Sequence, residues 1–202
     1  MRRTHSFRNT WRLVGRSAIA ATITSLAACG ARSPLPAGSD VATIGPRQIH
    51  AEIRDSSVDA LPDYRVLVSP DLVLAGVDVG ADDIVFRLRH RPGSFESSIT
   101  RFTIDLDTDQ NASTGLEGIE YSVFVFPDGG KGADVARTSS TGHAVVGTVP
   151  VTFVTDGCDV AIPRSLLGGE DGRFDFRVRV YAQPTLSIVL DVLPDNGLVR
   201  IE

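Results

Sequence analysis

The segment Arg101–Asp107 reads RFTIDLD, with Phe102, Ile104 and Leu106 alternating against Arg101, Thr103, Asp105 and Asp107. A period of two is the mark of a strand with one apolar and one wet face. The same alternation runs through Asp83–His90 (DIVFRLRH) and Phe174–Val180 (FDFRVRV). Tyr121–Phe126 and Val145–Val154 are apolar at nearly every position, as expected of strands covered on both faces or central in a sheet. Further strands are expected at Tyr64–Val68, Leu72–Val79, Asp159–Ile162, Ile188–Val192 and Leu198–Ile201. Residues 47–64 fit either a short helix or a lead-in strand.

Turn signals separate these runs at Pro92-Gly93, Asp128-Gly129-Gly130, Asp156-Gly157, Asp171-Gly172 and Asn196-Gly197. Asp-Gly and Asn-Gly supply the positive φ of tight hairpins, so Asp156-Gly157 and Asn196-Gly197 are expected to reverse the chain directly. Only Pro163–Leu167 suggests a helical turn, and no repeat of 20–50 residues marks a propeller or solenoid. The expected fold is therefore all-β: an antiparallel β-sandwich, jelly-roll or immunoglobulin-like in outline, with at most one or two short helical turns.

At 202 residues, 42% hydrophobic and 22% charged, the chain is long enough for one domain with a core and too apolar for disorder. Its formal charge of −5 argues against a nucleic-acid partner, which needs a basic surface. Two cysteines, Cys29 and Cys158, make neither a disulfide framework nor a four-ligand zinc site.

The amino terminus has the layout of an export signal. Residues 1–16 carry Arg2, Arg3, Arg8, Arg12 and Arg16 without an acid, and residues 17–28 are uncharged and mostly small or apolar. Twelve helical residues rise about 18 Å, short of a bilayer core of about 30 Å. The segment ends Leu26-Ala27-Ala28-Cys29-Gly30, which resembles the lipobox of bacterial lipoproteins. That resemblance implies cleavage after residue 28, lipidation of Cys29 and attachment to a bacterial membrane, on its periplasmic or cell-surface face. Cleavage would remove five arginines and no acid, taking the charge from −5 to −10. Residues 29–45, rich in Gly, Pro, Ala and Ser, read as a flexible tether, and residues 46–202 as one β-sandwich domain. Cys158 is then expected to be a buried, inert thiol.

From the end of that run onward, Asp105, Asp107 and Asp109 recur at every second residue, followed by Asn111, Gly115, Glu117 and Glu120. Clustered like charges need compensation, and a hard cation such as Ca²⁺ binds carboxylates and amide oxygens. Asp105, Asp107, Asp109, Asn111 and Glu120 are the candidate ligands. It is not an EF-hand, since Gln110 replaces the turn Gly and Leu116 the bidentate Glu. The alternative is a set of Asx-turns ending the strand, with arginines as counter-charges.

The phrase from Phe102 to Gly115, followed by Gly118-Ile119-Glu120-Tyr121, resembles a block of exported bacterial β-sandwich domains, those of carbohydrate-binding module family 9 and the DOMON-type group. Asp159–Gly168 and Asp191–Gly197 resemble two further pieces of it. The resemblance implies a sandwich over about residues 64–202 that binds a glycan or an envelope protein. Sugars stack on aromatic faces, and here the single Trp, Trp11, lies in the signal, leaving Tyr64, Tyr121 and Tyr181. Met1 would also be lost, and His50, His90 and His143 stand apart in sequence, so no haem is expected. His90 and His143 read as solvent-facing or turn residues.

HExxH, GxSxG, P-loop and GxGxxG signatures are all absent from residues 29–202, so neither a nucleotide nor a catalytic motif is expected. A glycoside-acting hydrolase would require two carboxylates about 5–10 Å apart, and no motif supports one. The leading expectation is a membrane-anchored, non-catalytic binding or interaction module with one Ca²⁺; the alternative is a carbohydrate-binding module.

Overall fold

A computed structural model describes residues 49–56, 59–61, 69–126, 132–182 and 188–202. The expected signal, the tether with Cys29, the strand Tyr64–Val68 and the turn Asp128-Gly129-Gly130 lie outside the described residues.

Within the described residues the strands are β1 (Ile49–Arg54), β2 (Leu72–Val79), β3 (Asp83–His90), β4 (Thr100–Asp107), β5 (Tyr121–Val125), β6 (Ala133–Ser139), β7 (Gly142–Val149), β8 (Val151–Val154), β9 (Gly157–Pro163), β10 (Phe174–Ala182), β11 (Asp191–Leu193) and β12 (Val199–Ile201). They form two antiparallel sheets. One has the order β1-β2-β3-β9-β8; the other runs β11-β10-β4-β5-β6-β7, with β12 also on β10. The fold is the expected all-β sandwich, with a short 3₁₀ turn at Arg164–Leu167 among the described residues.

Each sheet turns its apolar parity inward. Ile84, Phe86 and Leu88 of β3 meet Phe102, Ile104 and Leu106 of β4 and Phe174, Phe176 and Val178 of β10 in one core. Phe86 packs edge-on against Phe176, with ring centroids 5.2 Å apart, and lies 6.2 Å from Phe174. This contact joins the two sheets, and burying such a side chain contributes about 1.5–3 kcal/mol. Cys158 is fully buried in the core, and desolvation pushes its thiol up to about 12, which leaves it protonated and unreactive.

Several local expectations are corrected. Val145–Val154 is two strands, because Pro150 ends β7 in one sheet and β8 begins in the other. Proline lacks the donor a continuous ladder needs. β7 is an exposed edge, with Val145 61% accessible, so it is not covered on both faces. Asp156-Gly157 closes the β8–β9 hairpin as expected, Val154 pairing with Gly157. Asn196-Gly197 makes no hairpin: β11 and β12 lie one after the other along the same edge of β10. Residues 49–54, left open between helix and strand, are β1.

β4 departs most from its pattern, being buried on both faces. His90 departs too. It ends β3 almost wholly buried, with its ring 5.1 Å from those of Phe95 and Phe102 and no hydrogen-bond partner on either nitrogen. Desolvation outweighs the nearby charge of Asp71 and lowers its pKa to about 4. A base depressed in the folded state stabilises the fold fully above its unfolded pKa of about 6.5, and that stability is lost as pH falls through 4. The wild type should therefore lose about 3 kcal/mol relative to His90→Leu between pH 6.5 and 4. Urea unfolding of both proteins across this range checks it; parallel pH profiles would contradict it.

Candidate functional site on the outer face of the seven-stranded sheet

The wet parity of β4 is covered by side chains from the neighbouring strands. β10 pairs with β4 so that Arg177 stands opposite Asp105 and Arg179 opposite Thr103. From there Arg177 Nε donates to Asp105 Oδ2 at 2.8 Å, and Arg179 Nη2 donates to Asp105 Oδ1 at 2.8 Å. Asp105 itself is 1% exposed. A carboxylate so deep is tolerable only when paired and hydrogen-bonded, and here two guanidiniums share it.

On its other side Asp105 starts a chain of hydrogen bonds across four strands. Ser122 Oγ donates to Asp105 Oδ1 at 3.0 Å, Ser122 and Thr138 hydroxyls meet at 3.2 Å, and Thr138 Oγ1 meets His143 Nδ1 at 3.1 Å. The carboxylate fixes the direction. An ionised carboxylate only accepts, so the single Ser122 proton goes to Asp105. Ser122 must then accept from Thr138, and Thr138 from His143. The neutral His143 ring is thereby held with its proton on Nδ1 and a lone pair on Nε2.

His143 lies at the rim of a cavity of about 330 Å³ lined by Arg101, Phe102, Thr103, Phe124, Phe126, His143, Arg179 and Tyr181. Phe124 and Phe126 stand nearly parallel, 13° apart with centroids 6.3 Å apart, and His143 meets Phe124 edge-on at 5.1 Å. The Arg179 guanidinium sits 6.0 Å over the Tyr181 ring. Burial pushes the Tyr181 hydroxyl above the usual tyrosine range, and Thr103 hydrogen-bonds it. Sequence reasoning missed this constellation. Its available signal was Phe124, Arg179, Tyr181 and His143 on the parities opposite the apolar core.

The structure divides the predicted metal ligands. Carboxylate oxygens of Asp107, Asp109 and Glu120 lie within 4.8 Å of one another, whereas Asp105 faces Arg177, Arg179 and Ser122. Asn111 sits within the loop: its N–H is shared by Asp107 Oδ1 at 3.1 Å and Asp109 Oδ1 at 3.0 Å, and its own Oδ1 accepts from Ser113 N. Asp109 and Asn111 thus form the Asx-turns weighed from the sequence. Thr114 Oγ1 lies 2.5 Å from Glu120 Oε1 and 3.0 Å from Asp109 Oδ1. Gly115 adopts φ 57°, where a Cβ would meet Ile119 O at 2.1 Å. Gln110 takes a left-handed φ of 53° and donates to Asp175 Oδ1 at 2.9 Å, tying the loop to β10. Burial raises the Asp107 pKa; the Asn111 N–H opposes the shift, and the charges of Glu120, Asp109 and Asp175 add to it.

A second acidic group was not anticipated. Asp59 belongs both to a triad with Asp55 and Asp195 and to one with Asp71 and Asp191. Asp191 accepts from Leu72 N and Val192 N, yet burial raises its pKa to about 6. These aspartates are scattered over 140 positions of sequence, so spacing gave no hint of them.

Removing the Asp105 carboxylate should cost about 2–3 kcal/mol, below the ~3–5 kcal/mol of a fully buried pair because both guanidiniums remain about a third in water. Denaturant unfolding of Asp105→Ala measures this, and a loss under 0.5 kcal/mol would show the carboxylate to be dispensable. In comparisons with known proteins, no family model matches the chain and no curated protein matches it.

Proposed function

We propose that this chain is a membrane-anchored envelope lipoprotein whose β-sandwich is a non-catalytic binding module. The observation that carries the binding reading is the cavity on the outer face of the seven-stranded sheet. Aromatic rings and guanidiniums line it, beside hydrogen bonds to the buried carboxylate of Asp105. A rigid sheet bearing polar groups and ring faces in a shallow cavity is the usual construction of a small-ligand site. The anchor rests on the sequence: an arginine-rich, acid-free start, a short apolar run and Leu26-Ala27-Ala28-Cys29.

A carbohydrate-binding module is the second reading. The tyrosine inventory of the sequence offers few ring faces, but Phe124, Phe126 and Tyr181 gather on one face, and a sugar ring packs on such surfaces. In both readings Ca²⁺ steadies the loop after β4 through Asp107, Asp109 and Glu120, whose like charges otherwise repel, with the neutral Asn111 beside them.

Two experiments test this. Expressed in a bacterial host, the wild type should sediment with membranes and Cys29→Ser should move to the soluble fraction; a variant that stays membrane-bound contradicts the lipid anchor. Calcium at about 100 times its Kd should add about 2.7 kcal/mol, raising Tm by several degrees over chelator-treated protein. Asp109→Ala should abolish the rise. An unchanged wild-type Tm at millimolar Ca²⁺ removes the metal from the account.

A further inference from the structure

We propose that the outer-face cavity selects a small ring carboxylate that also carries a hydroxyl group. This rests on the reading of that face as a binding site and names the chemistry it would recognise.

Charge is the first argument. The described lining holds two guanidiniums, Arg101 and Arg179, and no Asp or Glu. Asp105, the carboxylate that Arg179 reaches from the lining, is divided between Arg177 and Arg179, so one negative charge answers those two positive ones. Within the described residues Arg179 uses only Nη2 in a hydrogen bond, and its Nε is buried without a partner. In a chain with an excess of acids, a described lining whose charged side chains are arginines is a local specialisation. A guanidinium with open donors is suited to a carboxylate, which it binds through charge-assisted bonds.

Hydrogen-bond direction is the second. The chain from Asp105 through Ser122 and Thr138 holds the His143 proton on Nδ1. The neutral ring therefore offers only an acceptor at Nε2, which suits a ligand hydroxyl and not a second carboxylate. Shape is the third. A volume of about 330 Å³ is at the small end of ligand pockets, enough for one ring, and Phe124, Phe126 and Tyr181 supply apolar walls for its flat faces. Such a ligand could be a sugar acid or an aromatic hydroxy acid; both present a carboxylate and a hydroxyl on a six-membered ring.

The test uses the full-length protein in detergent, titrated by calorimetry with galacturonate and 4-hydroxybenzoate and with their uncharged counterparts, galactose and 4-hydroxybenzyl alcohol. At least one carboxylate should bind about tenfold or more tightly than its neutral partner. Which one binds identifies the ring type. Arg179→Gln should remove that preference without strengthening the neutral compound, and His143→Ala should weaken 4-hydroxybenzoate or galacturonate while leaving benzoate unchanged. Equal binding of charged and neutral partners overturns the inference but keeps the face as a binding site. Failure of all four probes overturns the inference, and if no outer-face amide shifts in NMR spectra with any of them, the binding-site reading falls with it. If Arg179→Gln fails to fold, the charged-against-neutral comparison on the wild type decides alone.

Discussion

The carboxylate of Asp105 organises the outer half of this molecule. It is buried in the middle of β4, where an unpaired charge would be prohibitive, and it is held by Arg177 and Arg179 from β10 and by Ser122 from β5. Those bonds fix the register of three strands on the polar side, while the Phe86 and Phe176 contact joins the two sheets on the apolar side. A slip of one residue in β10 would put Arg177 and Arg179 into the core and break both sets of contacts at once. Buried ion pairs often add little net stability, but they distinguish one register from another.

The same interaction reaches the cavity through direction. Because Asp105 only accepts, each hydroxyl in the chain to His143 has its donor role assigned, and a surface imidazole becomes a defined acceptor at the rim of a cavity. Arg179 serves both ends: one nitrogen neutralises Asp105 while the guanidinium lines the cavity beside Tyr181. In the proposed reading, stability and recognition draw on one set of residues, so variants on this face need a stability control before a binding loss is interpreted.

Much of the fold was legible because period-two alternation survives in β3, β4 and β10, where large apolar residues mark one parity. β6 was missed: its inward residues are Ala133 and Val135 among polar neighbours, too little contrast for a pattern. β7 and β8 were merged because a run of valines hid the sheet change at Pro150. His90 was misplaced because flanking arginines looked like solvent, whereas strand parity turns His90 inward beside Phe95. For the candidate site, Asp105 and Asp107 are indistinguishable in sequence. What separates them is β10 at matching parity, placing arginines over one, while the other borders the loop with Asp109 and Glu120. Tertiary pairing, not local spacing, carried that information.

The most direct test of this arrangement is the tautomer of His143, read from long-range ¹⁵N–¹H NMR correlations at a pH where the ring is neutral. The hydrogen-bond chain from Asp105 requires the proton on Nδ1 in the wild type, with loss of that preference in Ser122→Ala, which cuts the chain without removing the Asp105 charge. A neutral ring carrying its proton on Nε2 in the wild type would contradict it.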